Sequence, residues 1–165
     1  MGEFVDRSIG EVVRSISGSR PIAASPETVW ALVSDLRRMA ELSPENTGGT
    51  WIKGSTGPAL GARFKGTNAQ GSRTWSTHAM VTSCEPGVSF AFRVSALGFA
   101  IARWAYDIVP SESGCVVTET WLDDRGRTMR VVGRMVSGIG DRSVHAKQEI
   151  ERTLEKLAAT AESVA

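Results

Sequence analysis

Between Asn46 and Asp124, short stretches rich in valine, threonine and aromatic residues are cut again and again by turn residues, and this constrains the fold more than any other feature. The turns recur about every eight to twelve positions, as in an antiparallel meander. The pattern predicts strands at Thr50–Lys53, Ala62–Ala69, Arg73–Glu85, Val88–Ala96, Ile101–Pro110 and Cys115–Asp123. Gln70-Gly71-Ser72, Glu85-Pro86-Gly87 and Ser111-Glu112-Ser113-Gly114 supply the hairpin turns, because glycine and proline adopt the dihedrals that tight reversals need.

Helical patterns flank the meander. Glu11–Ile22 reads as a first strand, and Ser25-Pro26-Glu27 as a helix start: a hydroxyl to cap, proline at the first position and a carboxylate near the positive end of the dipole. Val29, Trp30, Leu32, Val33, Leu36 and Met39 follow at helical spacing until Ser43-Pro44 stops them, since the residue before proline avoids helical angles. Beyond Arg130 one apolar stripe runs through Val132, Val136, Ile139, Ser143, Ala146, Ile150, Leu154, Leu157 and Ala161, interrupted by Gly133, Gly138 and Gly140. The order is strand, helix, meander, long helix, an α+β chain. Residues 1–165 carry no repeat or linker and are expected to form one domain with its core at about 11–160. Only the terminal helix is long enough to cover the apolar face of the sheet.

Because side chains alternate across a strand, that face can be read position by position. One side collects Phe64, Gly66, Asn68, Trp75, Thr77, Ala79, Val81, Phe90, Phe92, Val94, Trp104, Tyr106, Ile108, Val117, Glu119 and Trp121. The other collects Arg63, Lys65, Ser76, His78, Arg93, Arg103, Asp107, Thr118 and Thr120, a solvated set. The inner side is aromatic, with a few polar groups, as small-molecule pockets usually are. Phe64, Asn68, Trp75, Thr77, Phe92, Trp104, Tyr106, Glu119 and Trp121 are the expected ligand-binding residues, joined from the terminal helix by Ile139, Arg142 and Ala146. Taken singly, each aromatic is an ordinary core residue. A carboxylate between Val117 and Trp121 is not, and Glu119 needs either a partner, with Arg142 the nearest candidate, or a raised pKa. Glu119, Tyr106 and His145 are the candidate acid–base residues, His145 lying one position off the helical stripe.

Other chemistries find no support. Nineteen Lys+Arg balance eighteen Asp+Glu, which leaves no electrostatic footprint for nucleic acid. The cluster Arg125, Arg127, Arg130, Arg134 follows Asp123-Asp124 and reads as a solvated connection. Cys84 and Cys115 offer no metal spacing and no disulfide framework, and read as half-buried thiols of a reducing compartment. No catalytic Ser/His/Asp order or phosphate loop can be assembled. Thr47-Gly48-Gly49 and Lys53-Gly54-Ser55-Thr56-Gly57 read as mobile loops at the pocket mouth. Met1–Arg7 lacks a signal-peptide pattern, and no apolar run reaches the ~20 residues that span a bilayer. The expectation is a cytoplasmic protein, monomer or homodimer, with no cofactor and no metal.

Ile22-Ala23-Ala24-Ser25-Pro26-Glu27-Thr28-Val29-Trp30, with Asp35, Leu36 and Ser43-Pro44 after it, resembles the start of a START-like helix-grip protein. Phe64-Lys65-Gly66-Thr67-Asn68 extends the likeness, as do Trp75, Glu85-Pro86-Gly87 before Phe90-Ala91-Phe92, and Trp104-Ala105-Tyr106 followed by Pro110. So do Val117-Thr118-Glu119-Thr120-Trp121 and the helix around His145 and Thr153-Leu154. Together they are similar to the polyketide cyclase/dehydrase and lipid-transport branch of the SRPBCC superfamily, in actinobacterial style, over about residues 11 to 160. The resemblance implies a helix-grip fold: a curved antiparallel sheet wrapped around a long C-terminal helix, with a helical segment after the first strand. It implies a cavity for apolar ligands such as lipids or polyketides, and no catalytic set carries over residue by residue. Binding or transport of a hydrophobic small molecule is the first reading. The alternatives are a cyclase, aromatase or dehydratase working in the same cavity, and a partner-binding stress or toxin–antitoxin module marked by an exposed apolar patch.

Overall fold

A computed structural model of the chain describes residues 14–165. Seven antiparallel strands form one sheet: β1 (Ser15–Ile22), β2 (Asn46–Ile52), β3 (Arg63–Gln70), β4 (Arg73–Glu85), β5 (Ser89–Ala96), β6 (Phe99–Ser111) and β7 (Gly114–Asp123), in the order β1-β7-β6-β5-β4-β3-β2. β2 to β7 are joined as successive hairpins, and β1 pairs with β7 from Ser15↔Leu122 to Ile22↔Cys115. All three expected turns lie where the glycine and proline signals put them. A fourth, Leu97-Gly98, has left-handed angles at both central residues (φ 52° and 81°), the conformation of a tight two-residue hairpin.

Ser25 caps α1 (Pro26–Ser34), its side chain accepting the Thr28 N–H, with proline in the first turn as expected. The apolar spacing suggested one helix through Met39, but Asp35 leaves helical angles (φ −84°, ψ 90°), and a 3-10 turn at Leu36–Arg38 leads into α2 (Met39–Leu42). The Asp35 carboxylate accepts from the Arg37 N–H and pairs with the Arg37 guanidinium, a local bond that competes with helix continuation. The expected first strand started at Glu11; Glu11, Val12 and Val13 lie outside the described residues. β2 begins four residues earlier than expected, so Thr47-Gly48-Gly49 is strand rather than loop, with a register shift at Asn46/Gly48.

The terminal stripe is two helices, α3 (Arg127–Ser137) and α4 (Arg142–Ser163). Gly138 ends α3 in the left-handed region (φ 72°), and the Asp141 side chain accepts from Ser143 and Val144 N–H groups to start α4. The helical period alone carried across Gly138-Ile139-Gly140 because Ile139 falls in phase on both sides. Arg125 is not part of a solvated connection: it is buried and bonded to Asp123 at 2.8 Å. α4 is the element that closes the sheet, burying Ala146, Ile150, Thr153, Leu154, Leu157, Ala158 and Ala161. It runs close over β1, where a Cβ on Gly18 would lie 2.7 Å from Ile150 Cγ2. The alternation read from the strands holds: Val117, Glu119 and Trp121 are buried, while Arg63, Lys65, His78 and Arg103 are exposed. Cys84 and Cys115 are free, in β4 and β7.

Gly114 opens β7 with φ 147°, and a Cβ there would meet the Ile22 carbonyl oxygen at 2.2 Å and the Ala24 nitrogen at 2.8 Å. Both are backbone atoms that cannot swing aside. Gly114→Ala is therefore expected to cost about 1–3 kcal/mol, read as a fall in urea midpoint with m unchanged. An unshifted midpoint would mean that β1 and β7 do not approach this closely.

Candidate functional site

Between the concave face of the sheet and α4 lies a cavity with about 950 Å3 of space free of atoms, its mouth included. β3, β4, β5, β6 and β7 each contribute inward side chains from alternate positions: Phe64 and Asn68, Trp75 and Thr77, Phe92, Trp104 and Tyr106, Glu119 and Trp121. These nine were all expected at the site, and so was Arg142, which reaches it from the first turn of α4. Ile139 and Ala146 do not line it. Both are buried in packing instead, Ile139 in the link between α3 and α4. His145 also lies outside the cavity wall, in a neighbouring polar cleft with Glu45, Gln148, Glu149 and Arg152.

The deep polar point is a pair on adjacent strands. Tyr106 and Glu119 are register partners on β6 and β7, and the Tyr106 hydroxyl donates to Glu119 Oε1 at 2.8 Å. Glu119 Oε2 meets no hydrogen-bond partner among the described residues. Loss of water pushes the Glu119 carboxyl up to about 8; the Tyr106 hydrogen bond works against this, and the charge of Glu149 adds to it. Burial, with the Glu119 charge beside it, also holds the Tyr106 phenol well above its ordinary value, so it stays a donor. Arg142 is not the partner of Glu119. Its guanidinium donates to both carboxylate oxygens of Glu45, at 3.1 and 2.9 Å, and stands 5.7 Å from the centre of the Trp75 ring.

Glu45 anchors a second cluster, towards the end of the cavity at the start of α4. His145 Nε2 lies 2.9 Å from Glu45 Oε2 and 3.9 Å from Glu149 Oε2. Burial alone would raise the Glu45 carboxyl, but His145 and Arg142 outweigh it and keep Glu45 ionised. Glu149 has weaker support, a 3.4 Å bond from the Ser43 hydroxyl; burial first, then the charge of Glu45, lift it to about 7. One ligand atom from each of Glu45, His145 and Glu149 lies within 4.8 Å of the others, donor types that suit a divalent cation. Arg142 supplies the positive charge that faces Glu45 here.

The sequence reading found the aromatic wall and Glu119 but missed Glu45, Asn46, Glu149, Met39 and Arg125, which also line the cavity. Glu45 lies in the link before β2, 100 positions from His145, so no spacing joins them. Glu149 carried one usable signal: it stands four residues after His145 and beside Ile150 in the stripe.

A family model described as polyketide cyclase / dehydrase and lipid transport matches residues 13–162. The Polyketide_cyc-like protein Cgl2372 from Corynebacterium glutamicum is 31% identical, with a TM-score of 0.53 over 91% of this chain and 90% of that one. The di-domain ARO/CYC StfQ of the steffimycin biosynthetic pathway superposes with a TM-score of 0.71 at 12% identity, over 92% of this chain and 51% of StfQ. The di-domain ARO/CYC BexL of the BE-7585A pathway gives 0.68 at 15% identity, over 91% and 50%. The chain thus spans about half the length of these two di-domain proteins, and at such identities they show the shared fold alone. No curated protein matches the chain.

Proposed function

The chain belongs to the polyketide cyclase/dehydrase and lipid transport family, and from that premise we propose that it binds or carries a hydrophobic small molecule, lipid- or polyketide-like, in the cavity under α4. The observation that carries this reading is the composition of the wall. Phe64, Phe92, Trp75, Trp104 and Trp121 converge on one space, and their facing surfaces gain free energy when an apolar ligand displaces water. The proton-bearing Glu119 sets the orientation: with Tyr106 on Oε1, its other oxygen is left to meet a ligand carbonyl or hydroxyl. No described helix is long and apolar enough to cross a membrane.

Titration with a fluorescent fatty acid or polyaromatic probe is expected to quench tryptophan emission saturably, with Kd at or below the micromolar range. Trp104→Ala should weaken binding about tenfold or more, because roughly 1.5–3 kcal/mol of apolar contact is lost. Binding weaker than millimolar by every apolar probe would remove the carrier reading.

A second reading, acid catalysis by a cyclase or dehydratase, is favoured by one specific observation: a buried carboxyl inside the cavity with one oxygen bonded to Tyr106 and the other unengaged, an environment whose lack of water pushes it up to about 8. Such a group can give its proton to a departing hydroxyl. Glu119→Gln separates the readings, since the amide can still donate a hydrogen bond but has no acidic proton. Unchanged probe affinity fits a carrier; an accompanying loss of dehydration of an aldol-type substrate would establish the enzyme.

A further inference from the structure

α3 carries a surface that the cavity does not use. Met129 turns inward and is buried, whereas Val131 (62% exposed), Met135 (71%) and Val136 (45%) stand in solvent. Around them are Arg127 and Arg134, both exposed, and Arg130. Residues 125–140 contain four arginines and no aspartate or glutamate.

The acidic groups nearest in sequence are already engaged: Asp123 by Arg125 with Arg130 3.8 Å away, Asp124 by Arg103, and Asp141 by the first turn of α4. Arg73, at the start of β4, donates to the Met135 carbonyl and adds a further cation to the same end.

A second apolar element leaves the sheet at this end. The β5–β6 turn exposes Leu97 (82%) and Phe99 (57%). The pairing of Ala102 with Asp123, just before α3, puts that turn and the start of α3 at the same end of the sheet. Ile101, Ala102 and Arg125, which adjoin these two segments, line the cavity.

Exposed bulky apolar side chains beside arginines on a short amphipathic helix suit one partner chemistry: a lipid surface of negative charge, apolar within and anionic outside. We propose that α3, with the Leu97–Phe99 turn, docks the protein on an anionic bilayer and sets the adjoining end of the cavity against the membrane. A protein interface would bring acidic side chains to these arginines, whereas a bilayer meets both kinds of group at once, anionic headgroups at Arg127 and Arg134 and acyl chains at Val131 and Met135. The proposal goes beyond ligand carriage and does not rest on it, because vesicle binding and cavity occupancy are read separately.

The test is co-sedimentation with phosphatidylcholine vesicles with and without phosphatidylglycerol. Binding is expected only with phosphatidylglycerol, and it should fall as salt rises. Arg127→Ala with Arg134→Ala should reduce partitioning about tenfold or more, and Met135→Ser with Phe99→Ser should do the same at unchanged charge. All four side chains are exposed and none lines the cavity, so thermal unfolding and apolar-probe binding should stay as in the parent. No pelleting with anionic vesicles, or pelleting that both double variants leave intact, would overturn the proposal. So would a dimer in light scattering that Met135→Ser with Phe99→Ser dissolves, since the face would then belong to a second copy of the chain.

Discussion

Leu154→Asp is expected to leave no cooperatively folded protein at neutral pH. Leu154 is 4% exposed on the buried side of α4, and Ile150 one turn earlier is 1% exposed, both lying over β1 at Gly18. An aspartate there must keep a charge with no partner in an apolar seam, take up a proton at the cost of a large pKa shift, or push α4 off the sheet. The apolar loss and the unpaired charge together exceed about 5 kcal/mol, comparable with the whole stability of many domains at about 5–15 kcal/mol. Leu154→Met, which conserves volume, should cost less than about 1.5 kcal/mol and shows that the position as such tolerates exchange. Far-ultraviolet circular dichroism against temperature checks both. A soluble Leu154→Asp variant with the parental Tm would show that α4 does not cover β1.

The second large effect is on pH. Glu119 is raised from 4.5 to about 8 and Glu149 to about 7, so over this range the folded protein holds protons that the unfolded chain has released. The native state then binds more protons than the unfolded one, and stability must fall as pH rises. The fall begins near pH 4.5 and ends near 8 for Glu119 and near 7 for Glu149, at up to about 1.4 kcal/mol per pH unit for each group. This is the reverse of a carboxylate held by an arginine, such as Glu45, whose contribution is present at neutral pH and lost on acidification. Glu119→Gln keeps the shape without the ionisation. It should remove most of the slope above pH 7, where Glu149 no longer contributes, and be more stable than the parent beyond pH 8. Urea midpoints at a series of pH values decide it; a parent whose stability is flat or rising across pH 4.5–8 would mean that Glu119 is ionised and hydrated.

The sheet was legible because alternation is strict where one face is buried. A slip of one residue would have turned Arg103 inward and Trp104 outward, so the pattern itself fixed the register. The same strictness placed Glu119 inside, since Val117 and Trp121 on either side of it have to be. Helix breaks were harder. Asp35 interrupts the first helix through its own side-chain bond to Arg37, a local competition that apolar spacing does not register. Gly138 was visible as an interruption, yet with Ile139 in phase the period ran on.

The Glu45–His145–Glu149 cluster was illegible for a different reason. It joins the link after α2 to one face of α4, and only the tertiary fold brings these together. Ionic residues on a helix also look solvated unless something nearby buries them, which is why Glu149 passed as surface. Arg142 was offered Glu119 as a partner for the same lack of a third element; the loop carrying Glu45 reaches it first.

The pairing of β1 with β7 bears on how the chain assembles. Ser17 meets Thr120 across 103 positions, their hydroxyls 2.9 Å apart, and α4, which covers β1, comes later still. Each of the hairpins from β2 to β7 closes a short loop, whereas the β1 seam joins positions 93 to 107 residues apart and so carries the largest entropic barrier of any strand contact. On the ribosome the meander can zip up hairpin by hairpin as it emerges. β1 and the apolar side of α1 must wait, exposed, until Gly114–Asp123 has been made, and this leaves the N-terminal strand as the segment most open to chaperones and to mispairing during synthesis.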